Sequence, residues 1–243
     1  MLPYVDRLAG DASFDGALIG IPFMIAAGYH DHPALHEWFS ARINVLYETA
    51  KQESYDIYVS SDEAQRVPKA WRGKPIYRPQ YYADRVVRLP SCYDFYGLAH
   101  WPCESGDKQK KVDTIIAYLS DPRYQDTQGG YLWDTSRNTC YAAGRVFLAC
   151  LTEARRVLFL ELASRFAQCR RQLWFRDALA DLEQCRTDNG TYLLPSCYLK
   201  ERRDGYYIYG GDHMGLGENR RTRNWRETES TFRMLNINRL LRA

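Results

Sequence analysis

The chain reads as a mainly α protein built from helical hairpins and joined by long aromatic-rich loops. Apolar residues recur at helical spacing in five separate segments. The pentapeptide Leu-Pro-Ser-Cys-Tyr occurs twice, at Leu89 to Tyr93 and at Leu194 to Tyr198, each time ahead of a polar loop and an amphipathic helix. Gln128-Gly129-Gly130-Tyr131 follows one helical stretch as Asp188-Asn189-Gly190-Thr191-Tyr192 follows another. Repetition on this scale speaks to architecture, here a unit of helix, glycine-aromatic turn and helix used more than once.

Taken in order, Leu35, Phe39, Ile43, Leu46 and Tyr47 mark the first helix, and Pro33 suits its first position after Asp31 or His32. A tyrosine-rich stretch from Tyr55 to Tyr96 separates it from the second helix, where Val112, Ile115, Ile116 and Leu119 fall at i, i+3, i+4 and i+7. Cys140, Ala143, Gly144, Phe147, Leu148 and Leu151 extend the same rule, with small residues that let a neighbouring helix approach closely. Phe175, Ala178, Leu179 and Leu182 predict a further helix. A second tyrosine-rich stretch follows from Tyr192 to Tyr209, in which Tyr206 to Tyr209 suits a short strand. Four glycines between Gly210 and Asn219 make that segment a loop. Phe232, Leu235, Arg239 and Leu240 give a last, less regular helix, which Asn224 and Glu227 would open near Trp225 as a capping box.

A chain of 243 residues can bury a core without staples. Its 33 basic and 30 acidic residues leave a net charge of only +3, so no field of one sign draws it to nucleic acid, and any such binding must be local. Seven cysteines, at 92, 103, 140, 150, 169, 185 and 197, are odd in number and form no CxxC pair, which reads as reduced thiols in a cytoplasmic protein. The segment from Met1 to Phe14 carries Asp6, Arg7 and Asp11 and lacks the pattern of a signal peptide. The uncharged run Ala17 to Tyr29, interrupted by Pro22, is shorter than the roughly 20 residues a membrane-spanning helix needs.

The stretch Gln128-Gly129-Gly130-Tyr131-Leu132-Trp133, followed by Asn138-Thr139-Cys140-Tyr141-Ala142-Ala143-Gly144, is similar to repeats in the terpenoid cyclase and protein prenyltransferase α/α toroids. The likeness spans about Gln109 to Leu151 and again about Trp174 to Leu241. It implies an α/α toroid, complete or incomplete, forming a single domain over residues 1–243 around a central cavity. The catalytic residues of those families do not carry over. Asn138 stands where the prenyltransferase pattern has a zinc-binding His before Thr-Cys-Tyr, and no DxDD occurs, Asp177 and Asp181 being too widely spaced. The resemblance therefore names no cofactor.

The strongest functional candidate is the loop Gly210 to Asn219 with the arginines after it. Asp212, His213 and Glu218 offer acid and base groups, while Arg220, Arg221, Arg223 and Arg226 suit bidentate anion binding. If Asn224 opens the last helix, its first amides add attraction for phosphate or carboxylate. The loop tyrosines Tyr93, Tyr96, Tyr207 and Tyr209 are candidate ligand-facing rings, since loops carry function on a rigid scaffold. His32 and His36 have the i, i+4 spacing that can bring two imidazoles to one metal, with His30 beside them, and Cys92, His100 and Cys103 form a thinner set. A further ligand is missing from the first set and buried thiols explain the second, so no metal is assigned.

Three functions fit these residues. The first is a toroid binding a small, largely apolar or isoprenoid-like molecule whose anionic end meets the arginines. The second is a carbohydrate-active α/α barrel using paired carboxylates among Asp212, Glu218 and Asp94. The third is a non-catalytic module binding protein or nucleic acid through the basic C-terminal surface. Oligomeric state is not legible.

Overall fold

A computed structural model describes residues 14–82, 86–103, 106–127, 130–142, 156–199 and 223–242. The expected strand at Tyr206 to Tyr209 and the loop Gly210 to Asn219 lie outside the described residues. The chain divides into two compact units, Met1–Cys150 and Leu151–Ala243. Both are mainly helical, and the described sheet is one two-stranded hairpin.

In the first unit, helix α1 (Phe14–Met24) contains Pro22 and runs into a single π-helical turn at Ile25–Tyr29, where Gly28 takes a left-handed φ of 91°. Helix α2 (Pro33–Ala50) starts as its sequence predicts, with Pro33 in the first turn after an extended His32. Its buried stripe is Leu35, Phe39, Ile43 and Leu46, and Arg42 falls within it. Helices α3 (Cys92–His100), α4 (Gly106–Ser120) and the short α5 (Pro122–Gln125) complete the helical part. Helix α1 packs on α3, and α2 packs on α4, whose predicted Val112, Ile115, Ile116 and Leu119 are buried. A methyl group on Gly97 would lie 2.6 Å from the Phe39 ring and 3.3 Å from Pro22, so α3 approaches closely only because glycine stands there.

Residues 51–82 follow α2 without a long element. Tyr58 bridges Tyr77 in antiparallel fashion, and Ile76 bridges Tyr131, which opens strand β1 (Tyr131–Asp134). Strand β2 (Thr139–Ala142) returns against it in the register Tyr131 to Ala142 and Asp134 to Thr139. The helix expected from Cys140 onward is thus a strand over its first residues, and residues 143–151 lie outside those described. Local turn chemistry accounts for the difference. The Asp134 carboxylate accepts from the backbone N–H groups of Ser136 and Arg137, and Asn138 supplies a left-handed φ of 51°, which closes a hairpin that a helix could not use. Gly130 therefore leads into a β-hairpin over Tyr131 to Ala142. Gly130 is required there, since an added methyl would sit 2.7 Å from the Tyr77 ring and 2.8 Å from the Pro75 carbonyl.

The second unit contains α6 (Arg156–Ala163), α7 (Ala167–Arg170), α8 (Leu173–Glu183) and α9 (Trp225–Arg242). Helix α6 packs on both α8 and α9. The last helix begins at Trp225 as expected, but its buried face differs from the expected one: Met234, Ile237 and Leu240 are covered, whereas Phe232 and Leu235 are 46% and 60% exposed. Polar residues share the covered face. Arg233 pairs with Glu161 on α6 at 3.2 Å, and Asn236 donates to the same carboxylate. That pairing lets a face rich in charge be buried.

The two pentapeptide copies have unlike surroundings. Leu89 and Leu194 are both buried, but Ser91 caps an α-helix with Cys92 and Tyr93 fully enclosed, whereas Ser196 opens a 3-10 turn (Ser196–Leu199) and is exposed. Local structure therefore gives no support to internal duplication.

Candidate functional site

The second unit has a cleft of about 670 Å³ at the start of α9, lined among the described residues by Leu193, Ser196, Arg223, Asn224, Trp225, Arg226 and Glu227. Its wall is built by lacing. Helix α8 ends at Glu183, and Arg186 bridges Tyr192 across a turn in which Gly190 takes a φ of 80°. The returning segment is then stitched to α9: Tyr192 N–H donates to the Thr231 hydroxyl at 2.9 Å, and Leu194 N–H donates to the Ser230 hydroxyl at 3.0 Å. Thr191 donates to the Glu227 carboxylate, and the Tyr192 hydroxyl donates to Glu183 at 2.7 Å. These bonds fix where Leu193 and Ser196 stand.

The helix end supplies the polarity. Thr228 N–H donates to the Asn224 carbonyl at 3.0 Å, so the amides of the first turn precede the repeating ladder and point out of the helix end. Aligned peptide dipoles place partial positive charge at the same end. Arg223 and Arg226 add two guanidinium groups, and neither forms an ion pair with a described residue. Glu227 opposes them with one carboxylate, which the Thr191 hydroxyl engages. The balance favours an anion, and Trp225 and Leu193, the latter 41% exposed, offer apolar surface beside it. Arg223 and Arg226 were legible as a pair in the sequence; Trp225, Ser196 and Leu193 were not, because nothing local marks a residue that lines a cleft only after a distant segment is laced to it.

Asp212, His213, Glu218, Arg220, Arg221, Tyr207 and Tyr209 lie outside the described residues. Asp94, Tyr93 and Tyr96 belong to the first unit, on α3. Asp94 is fully enclosed and fully engaged: Arg42 donates to both its oxygens at 2.8 Å, and Ser91 donates through its backbone at 2.8 Å and its hydroxyl at 2.7 Å. Arg42 also donates to the carbonyls of Val87 and Leu89. Asp94 thus closes the capping box of α3 and ties α2 to the preceding segment, and it does not face a substrate as a glycosidic acid must. Tyr93 is buried against Phe23, and Tyr96 packs between Phe23 and His100.

Among the described residues no three His, Cys, Asp or Glu side chains are placed to hold a metal ion. His30 lies 3.6 Å from Asp31, the His36 ring packs 5.1 Å from Trp101, and His100 bonds the Tyr96 carbonyl at 2.9 Å. Cys92 is buried and Cys103 half-buried, with burial raising the Cys103 thiol above its ordinary range. Among the described residues no helix is long and apolar enough to cross a membrane. Comparison with protein-family models, with curated proteins and with solved structures finds no match.

Proposed function

We propose that the second unit binds a small ligand whose anionic end rests on the first turn of α9 and whose apolar body lies along Trp225 and Leu193. One observation carries this reading: the cleft gathers two guanidinium groups, the amides of a helix start and an aromatic side chain at one place. A phosphate, diphosphate or carboxylate satisfies the donors, since charge-assisted hydrogen bonds are the strong ones. An isoprenoid-like or other aliphatic body fits the remaining wall. Any chemistry on such a ligand would fall to Asp212, His213 and Glu218, which precede the cleft arginines in the chain. The carbohydrate reading is weaker because Asp94 is committed to Arg42.

Calorimetric titration with inorganic phosphate and with octyl phosphate tests the reading. Octyl phosphate is expected to bind more tightly, and replacing Arg223 and Arg226 with Ala should weaken both by tenfold or more, since a hydrogen bond to a charged group contributes about 1.5–3 kcal/mol. Trp225→Ala should erase the advantage of the octyl chain alone. Equal affinity of the wild type and the double-arginine variant would overturn the proposal.

A further inference from the structure

The first unit carries a second distinctive surface, independent of the cleft. From Ala64 to Ala83 the chain has five cations, Arg66, Lys69, Arg72, Lys74 and Arg78, and no acid. The preceding acid Glu63 is taken up by Arg78, with Nε to carboxylate 3.3 Å, and by the Ser60 backbone N–H at 2.7 Å. Arg66, Lys69, Arg72 and Lys74 are exposed, and none of the four forms an ion pair with a described residue. Arg72 is braced, donating to the Val67 carbonyl at 3.2 Å and the Gln65 carbonyl at 2.7 Å, which holds its charge at the edge of this surface.

Among these charges stands a half-exposed aromatic pair. Trp71 and Tyr131 meet edge to face with centroids 5.0 Å apart, and the Lys74 ammonium lies 4.3 Å from the first ring centre and 5.3 Å from the second. The pair is seated from below on the small core of Val67, Ile76 and Cys140. Rings anchored on one side, with Lys74 over their faces and further exposed cations close by in the chain, make a rigid platform.

We infer that this platform binds single-stranded nucleic acid. The small net charge of the whole chain conceals a local concentration of it, and the combination is selective. An acidic peptide would use the cations and leave the rings idle, and a neutral glycan would do the reverse. A duplex hides the faces of its bases. A single strand uses both features, its phosphates on the lysines and arginines and an unstacked base on the indole or phenol face.

Fluorescence anisotropy of a labelled oligothymidylate tests this with the full chain. Binding is expected to favour the single strand over the same sequence as duplex and over polyglutamate, and to weaken with salt. Lys69→Ala with Lys74→Ala should lower affinity about tenfold and flatten the slope of log affinity against log salt by roughly 1.4, since each phosphate contact to a single strand contributes about 0.7. Trp71→Ala should weaken binding while Trp71→Phe keeps it, with thermal melts of both confirming an intact fold. Preference for duplex, equal competition by polyglutamate, or unchanged affinity in the double-lysine variant overturns the inference.

Discussion

Arg42 and Asp94 show how much of the first unit rests on a single pair. Arg42 is 7% exposed and Asp94 not at all; each satisfies the other in a bidentate contact, while Arg42 also reaches the Val87 and Leu89 carbonyls and Asp94 accepts from the Ser91 amide and hydroxyl. Removing either partner strands a buried charge, so Arg42→Ala or Asp94→Ala should cost about 3–5 kcal/mol in urea unfolding. Replacing both with Met and Leu should cost clearly less than the sum, because no charge is then left alone. The tyrosines of the same unit give a second residue-scale expectation. Burial holds the Tyr77, Tyr118 and Tyr124 hydroxyls well above their ordinary value of 10.0. Two of them donate to backbone carbonyls, Tyr118 to Ser54 at 2.8 Å and Tyr124 to Pro90 at 2.7 Å. The folded state keeps these protons longer than the unfolded chain, so their contribution is complete below about pH 10 and is lost as pH rises beyond it. Denaturant midpoints should therefore fall above about pH 10 as phenolate absorbance grows, and ionisation of all three at their ordinary value with the fold intact would contradict this.

At the scale of elements, α2, α4, α8 and α9 were legible from apolar periodicity, whereas α1, α3 and α6 carried no such expectation, Tyr93 and Tyr96 of α3 reading as loop residues. Two expected elements departed from their predicted pattern for physical reasons. Cys140 fits a helical stripe on paper, but the turn Asp134 to Asn138 commits it to a strand, where it packs on Val67 and Ile76. In α9 the buried face includes Glu229, Ser230 and Arg233, which a hydrophobic pattern reads as solvent-facing until their partners are known. Arg42 left a readable mark, since it lies three residues after Phe39 and seven after Leu35 on the buried stripe of α2. Contact between α2 and α3 hinges on Gly97. Gly97→Ala would press a methyl group into the Phe39 ring, and such overpacking should cost about 1–3 kcal/mol in thermal or urea unfolding. A variant as stable as the wild type would show that the helices do not close on that residue.

At the scale of the whole molecule, the mainly helical class was legible from periodicity, and two compact units hold it. The toroid expectation rests on a resemblance quoted over Gln128 to Gly144, of which the described part, Tyr131 to Ala142, forms a hairpin. The two arginines of the cleft at the start of α9 were readable as part of a cluster, because charge of one sign is visible without a fold. Its walls were not, because they depend on hydrogen bonds between residues 36 and 39 positions apart. That cleft is the proposed place where an anion is held. Mapping amide and guanidinium chemical shifts during titration with octyl phosphate tests it most directly. Saturable shifts confined to Arg223 through Glu227 and to Leu193 and Ser196 are expected; shifts that spare these residues and fall elsewhere in the chain would contradict it.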